Sequence, residues 1–253
     1  MATLSGDHQQ GAKITVHWLE SSRAQRILIL LEELGLQYEI KPYKRDKDGL
    51  APPELAQVHP LGKSPVVTIT SPLQDQPLVL AETGAIIEYL TERWGPQLIP
   101  KRASIESPGE SNLRNRYFMH YVEGSLMSLL TVAAVMQNIK NAPVPFFIKP
   151  ITKAITGKIG ESYLEPNFKS HFEFLEQQLK SAPGGGGYLC GNTMVESDIM
   201  LVFPLQAAQA WAGLSKARYP VLMAYLERMV EREAYKQAER RVVEVEGSFK
   251  PVF

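Results

Sequence analysis

Apolar residues recur with a period of two in Lys13-Ile14-Thr15-Val16-His17 and again in Tyr38-Glu39-Ile40-Lys41-Pro42-Tyr43, so both stretches read as short strands. Between them Ala24 to Leu34 is apolar at helical spacing, with Ser21 or Ser22 placed to cap its start and Gly35 to end it. Pro52 to Val58 reads as a short helix opened by proline. The turn His59-Pro60-Leu61-Gly62-Lys63-Ser64-Pro65 feeds a β-branched run, Val66 to Thr70, and a fourth strand follows at Pro77 to Leu80. Leu80-Ala81-Glu82-Thr83-Gly84 then opens an amphipathic helix that closes near Trp94-Gly95. The order is βαβ followed by αββα, which predicts a small α/β unit over about the first hundred residues.

The pattern changes after that. Pro96 to Asn112 carries three prolines among charged and small residues and suits a linker. Everything beyond it has helical spacing. Leu113 to Ile139 reads as one long helix and Pro143-Val144-Pro145-Phe146-Phe147 interrupts it. Further helices are expected at Tyr163 to Leu179, at Ser197 to Ala212 despite Pro204, and from Tyr219-Pro220 to about Arg241. The run Gly184 to Gly187 is a flexible loop. The fold class is therefore α/β plus all-α: a flexible extension over residues 1–12, an α/β domain over 13–96, a linker over 97–112 and an all-helical domain over 113–253.

Composition narrows the function. Lys and Arg number 27 against 27 Asp and Glu, with no long basic block, so nucleic acid is a poor partner. The most apolar run, Leu126 to Met136, is broken by Ser128 and Thr131 and falls short of the ~20 residues of a membrane span. Met1 to Gly11 is polar and lacks the apolar centre of a signal peptide. Cys190 is the only cysteine, which excludes an intrachain disulfide and a Cys-x-x-Cys site and fits a reducing compartment such as the cytosol. With Gly191 after it, Cys190 reads as an inert loop thiol. No metal is expected.

The chemistry concentrates in residues 59–84. Pro65 at a strand entrance, after Ser64, is a candidate cis peptide. Backbone groups of the residue before it can pair with an extended peptide as an added strand would. The N–H groups opening the helix at Glu82-Thr83 attract a carboxylate. A peptide-pairing edge beside an anion seat suggests a small, acidic, peptide-like ligand.

Three stretches, Ser22-Arg23-Ala24-Gln25-Arg26, His59 to Pro65 and Leu80 to Gly84, together with the helical second half, resemble the cytosolic glutathione transferases, nearest in wording to a fungal and bacterial serine-type branch. The resemblance covers nearly the whole chain after the first dozen residues. It implies a thioredoxin-like glutathione-binding domain over 13–96 and an electrophile site formed by the helical domain. It also implies a cis Ser64–Pro65 bond, with the Ser64 backbone pairing with the cysteinyl part of glutathione. Thr83 would take the γ-glutamyl carboxylate, Glu82 its ammonium, and Lys63, with His59, the glycyl carboxylate. Tyr117, Phe118 and Tyr121 lie on the helix expected to face the electrophile cleft, at least one of them as plain core. Val195 stands where the family carries Ser or Thr before a buried helix, so Asp198 is expected to hold that start through a different cap.

The implied reaction is thiol activation. A free thiol titrates near 8.5, so only a few per cent is thiolate at neutral pH. Lowering that pKa by ~2 units takes roughly 2.7 kcal/mol. A charge-assisted hydrogen bond supplies about 1.5–3 kcal/mol, and a helix N-terminus adds ~0.3–1 kcal/mol. A serine hydroxyl at the start of the first helix is nearly sufficient. Ser22 is favoured over Ser21, and with no tyrosine in that loop the tyrosine-type classes are disfavoured. The implied protein is a cytoplasmic homodimer that detoxifies small hydrophobic electrophiles, and peripheral contact with internal membranes is compatible with the family. Glutathione-dependent peroxide reduction, a dedicated biosynthetic thiol transfer and a non-enzymatic binding protein are the alternatives.

Overall fold

The computed structural model describes residues 9–72, 74–104 and 107–252. Residues 1–8 of the expected extension lie outside this range, but its last residues are tied down. Gln9 is buried, and its side chain donates to the carbonyls of Ala12 and Gln37 and accepts from the Gln37 N–H.

Four strands, β1 (Lys13–Leu19), β2 (Tyr38–Tyr43), β3 (Val66–Thr70) and β4 (Leu78–Ala81), form one sheet in the order β2-β1-β3-β4. β1 runs parallel to β2 and antiparallel to β3, with His17 opposite Val66, and β3 is antiparallel to β4. This mixed sheet with α1 (Gln25–Glu33), α2 (Glu54–Val58) and α3 (Thr83–Trp94) is the expected thioredoxin-like unit. Seven consecutive residues of α1, Gln25 to Leu31, are buried, the mark of a helix covered on every side. Gly35, at φ +63°, ends it: Leu36 N–H bonds the Leu31 carbonyl in a Schellman-type closure.

Helices α4 (Glu110–Tyr121) and α5 (Ser128–Asn141) are one continuous helical rod joined by a π-helical segment, Val122–Met127. By length and composition alone this rod is apolar enough to cross a membrane, but Phe118, Val122, Leu126 and Leu130 bury it in the core. An additional helix, α6 (Lys149–Ile159), follows the proline-rich interruption, and a second π-helical segment, Gly160–Leu164, leads into α7 (Glu165–Lys180). After α8 (Glu196–Trp211), the single last helix expected to reach Arg241 is instead two, α9 (Pro220–Val230) and α10 (Glu233–Glu246). Arg232 is extended between them, and its guanidinium pairs with Glu33 and donates to the Tyr188 hydroxyl.

Asp198 performs the capping expected of it. Its carboxylate accepts from the N–H groups of Val195 at 2.8 Å and Leu189 at 3.0 Å and from the Tyr225 hydroxyl at 2.9 Å. Burial nevertheless pushes its pKa up to about 6 against the pull of these bonds.

Candidate functional site

A cleft of about 540 Å³ opens between the sheet domain and the rod. Ser21, Ser22, His59, Lys63, Ser64, Pro65, Glu82 and Thr83 all line it. The fold brings them together because the loop after β1, the turn before β3 and the loop after β4 end at the same side of the sheet.

Ser22 is buried, and its Oγ accepts the Ala24 N–H at 3.3 Å. Ser22, expected as the N-cap, thus sits two residues before the N-cap Ala24, on a tight turn in which Gln25 N–H bonds the Ser22 carbonyl. Among the described residues no acceptor takes the Ser22 hydroxyl hydrogen. Ser21, half-buried beside it, adopts φ +48°, a backbone conformation that a side chain seldom holds without surrounding support.

The Ser64–Pro65 bond is cis, and the Ser64 hydroxyl donates to the His17 carbonyl at 3.0 Å. Glu82 precedes α3 at φ +68°, and no side chain caps that N-terminus. The first intrahelical bond there is Ile86 N–H to the Glu82 carbonyl, so the N–H groups of Thr83, Gly84 and Ala85 lack α-helical partners. Lys63 is exposed at the rim and has no ion-pair partner among the described residues.

Beneath the cleft lies a group that periodicity does not disclose. Arg26, fully buried, donates from Nη2 to Thr83 Oγ1 at 3.2 Å and from Nη1 to the Met200 carbonyl at 3.0 Å. It also lies 2.6 Å from Glu123 in the π-helical segment, which Arg23 reaches at 2.8 Å. Burial pulls the Arg26 pKa down and the Glu123 carboxylate opposes it. One buried cation therefore holds Thr83, α8 and the rod together. The available signal is an arginine inside a helix otherwise lined with Ile and Leu.

Arg45 and Trp211 line the cleft as well, although neither was expected there. Arg45 belongs to a charged loop, where its Nη1 donates to the Gly49 carbonyl and its N–H to Glu20. The apolar half of the cleft comes from Met127, Leu130, Thr131 and Ala134 of the rod with Phe203 and Trp211 of α8.

Tyr117, Phe118 and Tyr121 are not part of this wall. They pack edge-on or tilted against Phe174 of α7 at ring separations of 5.4–6.3 Å, and the Tyr121 hydroxyl bonds His171 Nδ1 at 2.6 Å. The cleft meets the rod from Met127 onward, whereas the three aromatics belong to α4 and pack it against α7. Cys190 is buried in the α8 approach, and burial pushes its thiol up to about 12, which suits an inert role. Among the described residues no cluster of His, Cys, Asp and Glu could hold a metal ion.

The family model "Glutathione S-transferase, N-terminal domain" matches residues 13–92, and "Glutathione S-transferase, C-terminal domain" matches residues 135–233. The chain is 32% identical to Glutathione S-transferase 1 of Saccharomyces cerevisiae over 93% of its own length and 98% of that protein. It is 31% identical to Glutathione S-transferase 3 of Schizosaccharomyces pombe over 90% and 88%. A crystal structure of a glutathione S-transferase from Actinobacillus pleuropneumoniae superposes with a TM-score of 0.66 at 31% identity, covering 90% of this chain and 92% of that one. In both its domains the chain belongs to the glutathione S-transferase family.

Proposed function

We propose that the chain binds glutathione in this cleft, lowers the pKa of its thiol with the Ser22 hydroxyl, and joins the intact tripeptide through sulfur to small hydrophobic electrophiles, which lose a leaving group or a C=C π bond in exchange. The observation that carries the proposal is the convergence of Ser22 with the cis Ser64–Pro65 edge and the uncapped start of α3. Ser64's backbone pairs with the cysteinyl unit, the N–H groups at Thr83 receive the γ-glutamyl carboxylate, Glu82 takes its ammonium, and Lys63 with His59 neutralises the glycyl carboxylate.

Ser22 suits the sulfur better than Ser21 on hydrogen-bond grounds. Its lone pair is engaged by Ala24 N–H, which leaves the O–H to be donated to a thiolate. The thiolate then attacks an electrophilic carbon resting on Met127, Leu130 and Phe203. A cytosolic homodimer acting in detoxification completes the proposal, supported by the family resemblance and by the apolar surface that Leu113 and Tyr117 leave exposed on α4.

The test is turnover of 1-chloro-2,4-dinitrobenzene at neutral pH. Ser22→Ala is expected to lower kcat roughly 10- to 100-fold, the equivalent of one charge-assisted hydrogen bond, with KM for glutathione little changed. Full activity in a Ser21→Ala, Ser22→Ala double variant rejects the serine mechanism.

A further inference from the structure

A second cavity, of about 950 Å³, lies between α5, α6 and α7, and Trp211 lines both this cavity and the cleft. On α5 the neighbours Ala133 and Ala134 face one space each, the cavity and the cleft respectively. Trp211 is thus common to the walls of both spaces, and Met136 carries the apolar lining of the second one along α5.

The two ends of this path differ in character. The inner wall of the cavity is apolar, with Leu164, Phe168 and Phe172 buried. Its charged lining consists of four cations, Lys140, Lys153, Lys169 and Arg218, against two carboxylates, Glu161 and Glu165. Among the described residues neither Lys140 nor Lys153 has an ion-pair partner, and both are exposed at the rim. Residues 124–160 contain four lysines and no Asp or Glu, so α5 and α6 present positive charge with nothing on either helix to neutralise it.

We infer that the electrophile site continues past Trp211 into this cavity, and that the enzyme's preferred electrophiles are elongated apolar chains ending in an anionic group. This rests on the proposed transferase reading and adds the substrate class. From Leu130 to Lys140 the helix rises about 15 Å, a span of roughly a dozen chain atoms at the reach of an extended backbone. An unbranched α,β-unsaturated ketone with a terminal carboxylate at that distance fits the path. Glutathione's thiolate forms a C–S bond to the β-carbon, and the C=C electron pair moves onto the carbonyl as an enolate. The enolate then takes up the proton that left the thiol. No other reactant is needed.

Three enones test the inference on the full chain with glutathione: but-3-en-2-one, the long-chain enone carboxylate, and its methyl ester. The expected kcat/KM for the carboxylate exceeds that for the ester by ~10-fold or more, the effect of one charge-assisted contact. A Lys140→Gln, Lys153→Gln variant removes that advantage through KM and leaves kcat and but-3-en-2-one turnover unchanged. Equal turnover of acid and ester by the unaltered protein, or an unchanged preference in the variant, overturns the inference while leaving the transferase reading intact. If neither but-3-en-2-one nor 1-chloro-2,4-dinitrobenzene is turned over, the transferase reading fails instead. Calorimetry with the saturated carboxylate of equal length then decides: binding weakened about tenfold in the variant supports the cavity's role, and absent or unchanged binding overturns it.

Discussion

Arg26 has its guanidinium wholly withdrawn from water, where it meets Thr83, the Met200 carbonyl and Glu123. Removing one member of a buried ion pair costs about 3–5 kcal/mol because the other charge is left without compensation. Here Glu123 is partly exposed and keeps Arg23, so the lower end applies. Arg26→Met is expected to lose about 3 kcal/mol in urea denaturation. It also releases Thr83, and KM for glutathione should rise while kcat at saturating glutathione changes less. His17 supports a second prediction. It is buried between the Tyr43 hydroxyl, 3.0 Å from Nδ1, and Thr68 Oγ1, 2.9 Å from Nε2. Burial, and secondarily Lys41, lowers its pKa. The unfolded chain, with an imidazole near 6.5, then binds more protons than the folded one just below that pH, so His17 contributes stability above about pH 6.5 that is lost as pH falls. The Tm gap between the unaltered protein and His17→Gln should narrow from about pH 7.5 to about pH 5.5, read by calorimetry.

Among the elements, α8 shows how a local rule broken in one place is answered in another. Pro204 has no N–H to offer the Met200 carbonyl, four residues before it, and Arg26 Nη1 donates there instead. Pro204→Ala restores a helical donor to that carbonyl. A double-mutant cycle with Arg26→Met should therefore show coupling of about 1 kcal/mol, Arg26 costing less to remove in the alanine background. Strict additivity would mean that the arginine's contact with α8 carries no energy. This partnership is the kind of feature that sequence patterns cannot disclose. A period-two run identifies Tyr38–Tyr43 to the residue, and a β-branched run after a turn does the same for Val66–Thr70. The turn before Pro65 and the start at Glu82 are legible from residue chemistry, and with them most of the cleft. Helix α6 is not, since Pro150, Gly157 and its lysines mask the apolar spacing. The break at Arg232 carries no proline or glycine; it is set by a guanidinium reaching Glu33 across the domain boundary. Tyr117, Phe118 and Tyr121 have the spacing of a ligand face, and their packing on Phe174 of α7 is not legible from that spacing.

At the scale of the molecule the two domains share one hydrophobic core, which runs from Ile14 and Ile27 through Leu201 to Tyr235 and Val242. Polar contacts cross the same boundary: Thr91 of α3 donates to buried Glu196 at 2.7 Å. Gln25 of α1 donates to the Tyr235 hydroxyl at 3.1 Å, and Arg241 donates to the Tyr38 carbonyl. Separating the domains would uncover α1 on the faces that α8 and α10 protect, at roughly 25 cal/mol for each Å² of apolar surface. Partial unfolding is therefore more costly than its few interdomain hydrogen bonds suggest, and the chain should unfold in one cooperative step. The tryptophans make this measurable. Trp18 and Trp94 belong to the sheet domain and Trp211 to the helical one, so Trp211→Phe leaves a fluorescence signal from the sheet domain alone. Far-UV circular dichroism mainly reports the helical domain. At one fixed protein concentration, the two midpoints in urea are expected to coincide in Trp211→Phe. A fluorescence transition that clearly precedes the loss of helix would show that the domains unfold independently, and that the shared core couples them far less than its extent implies.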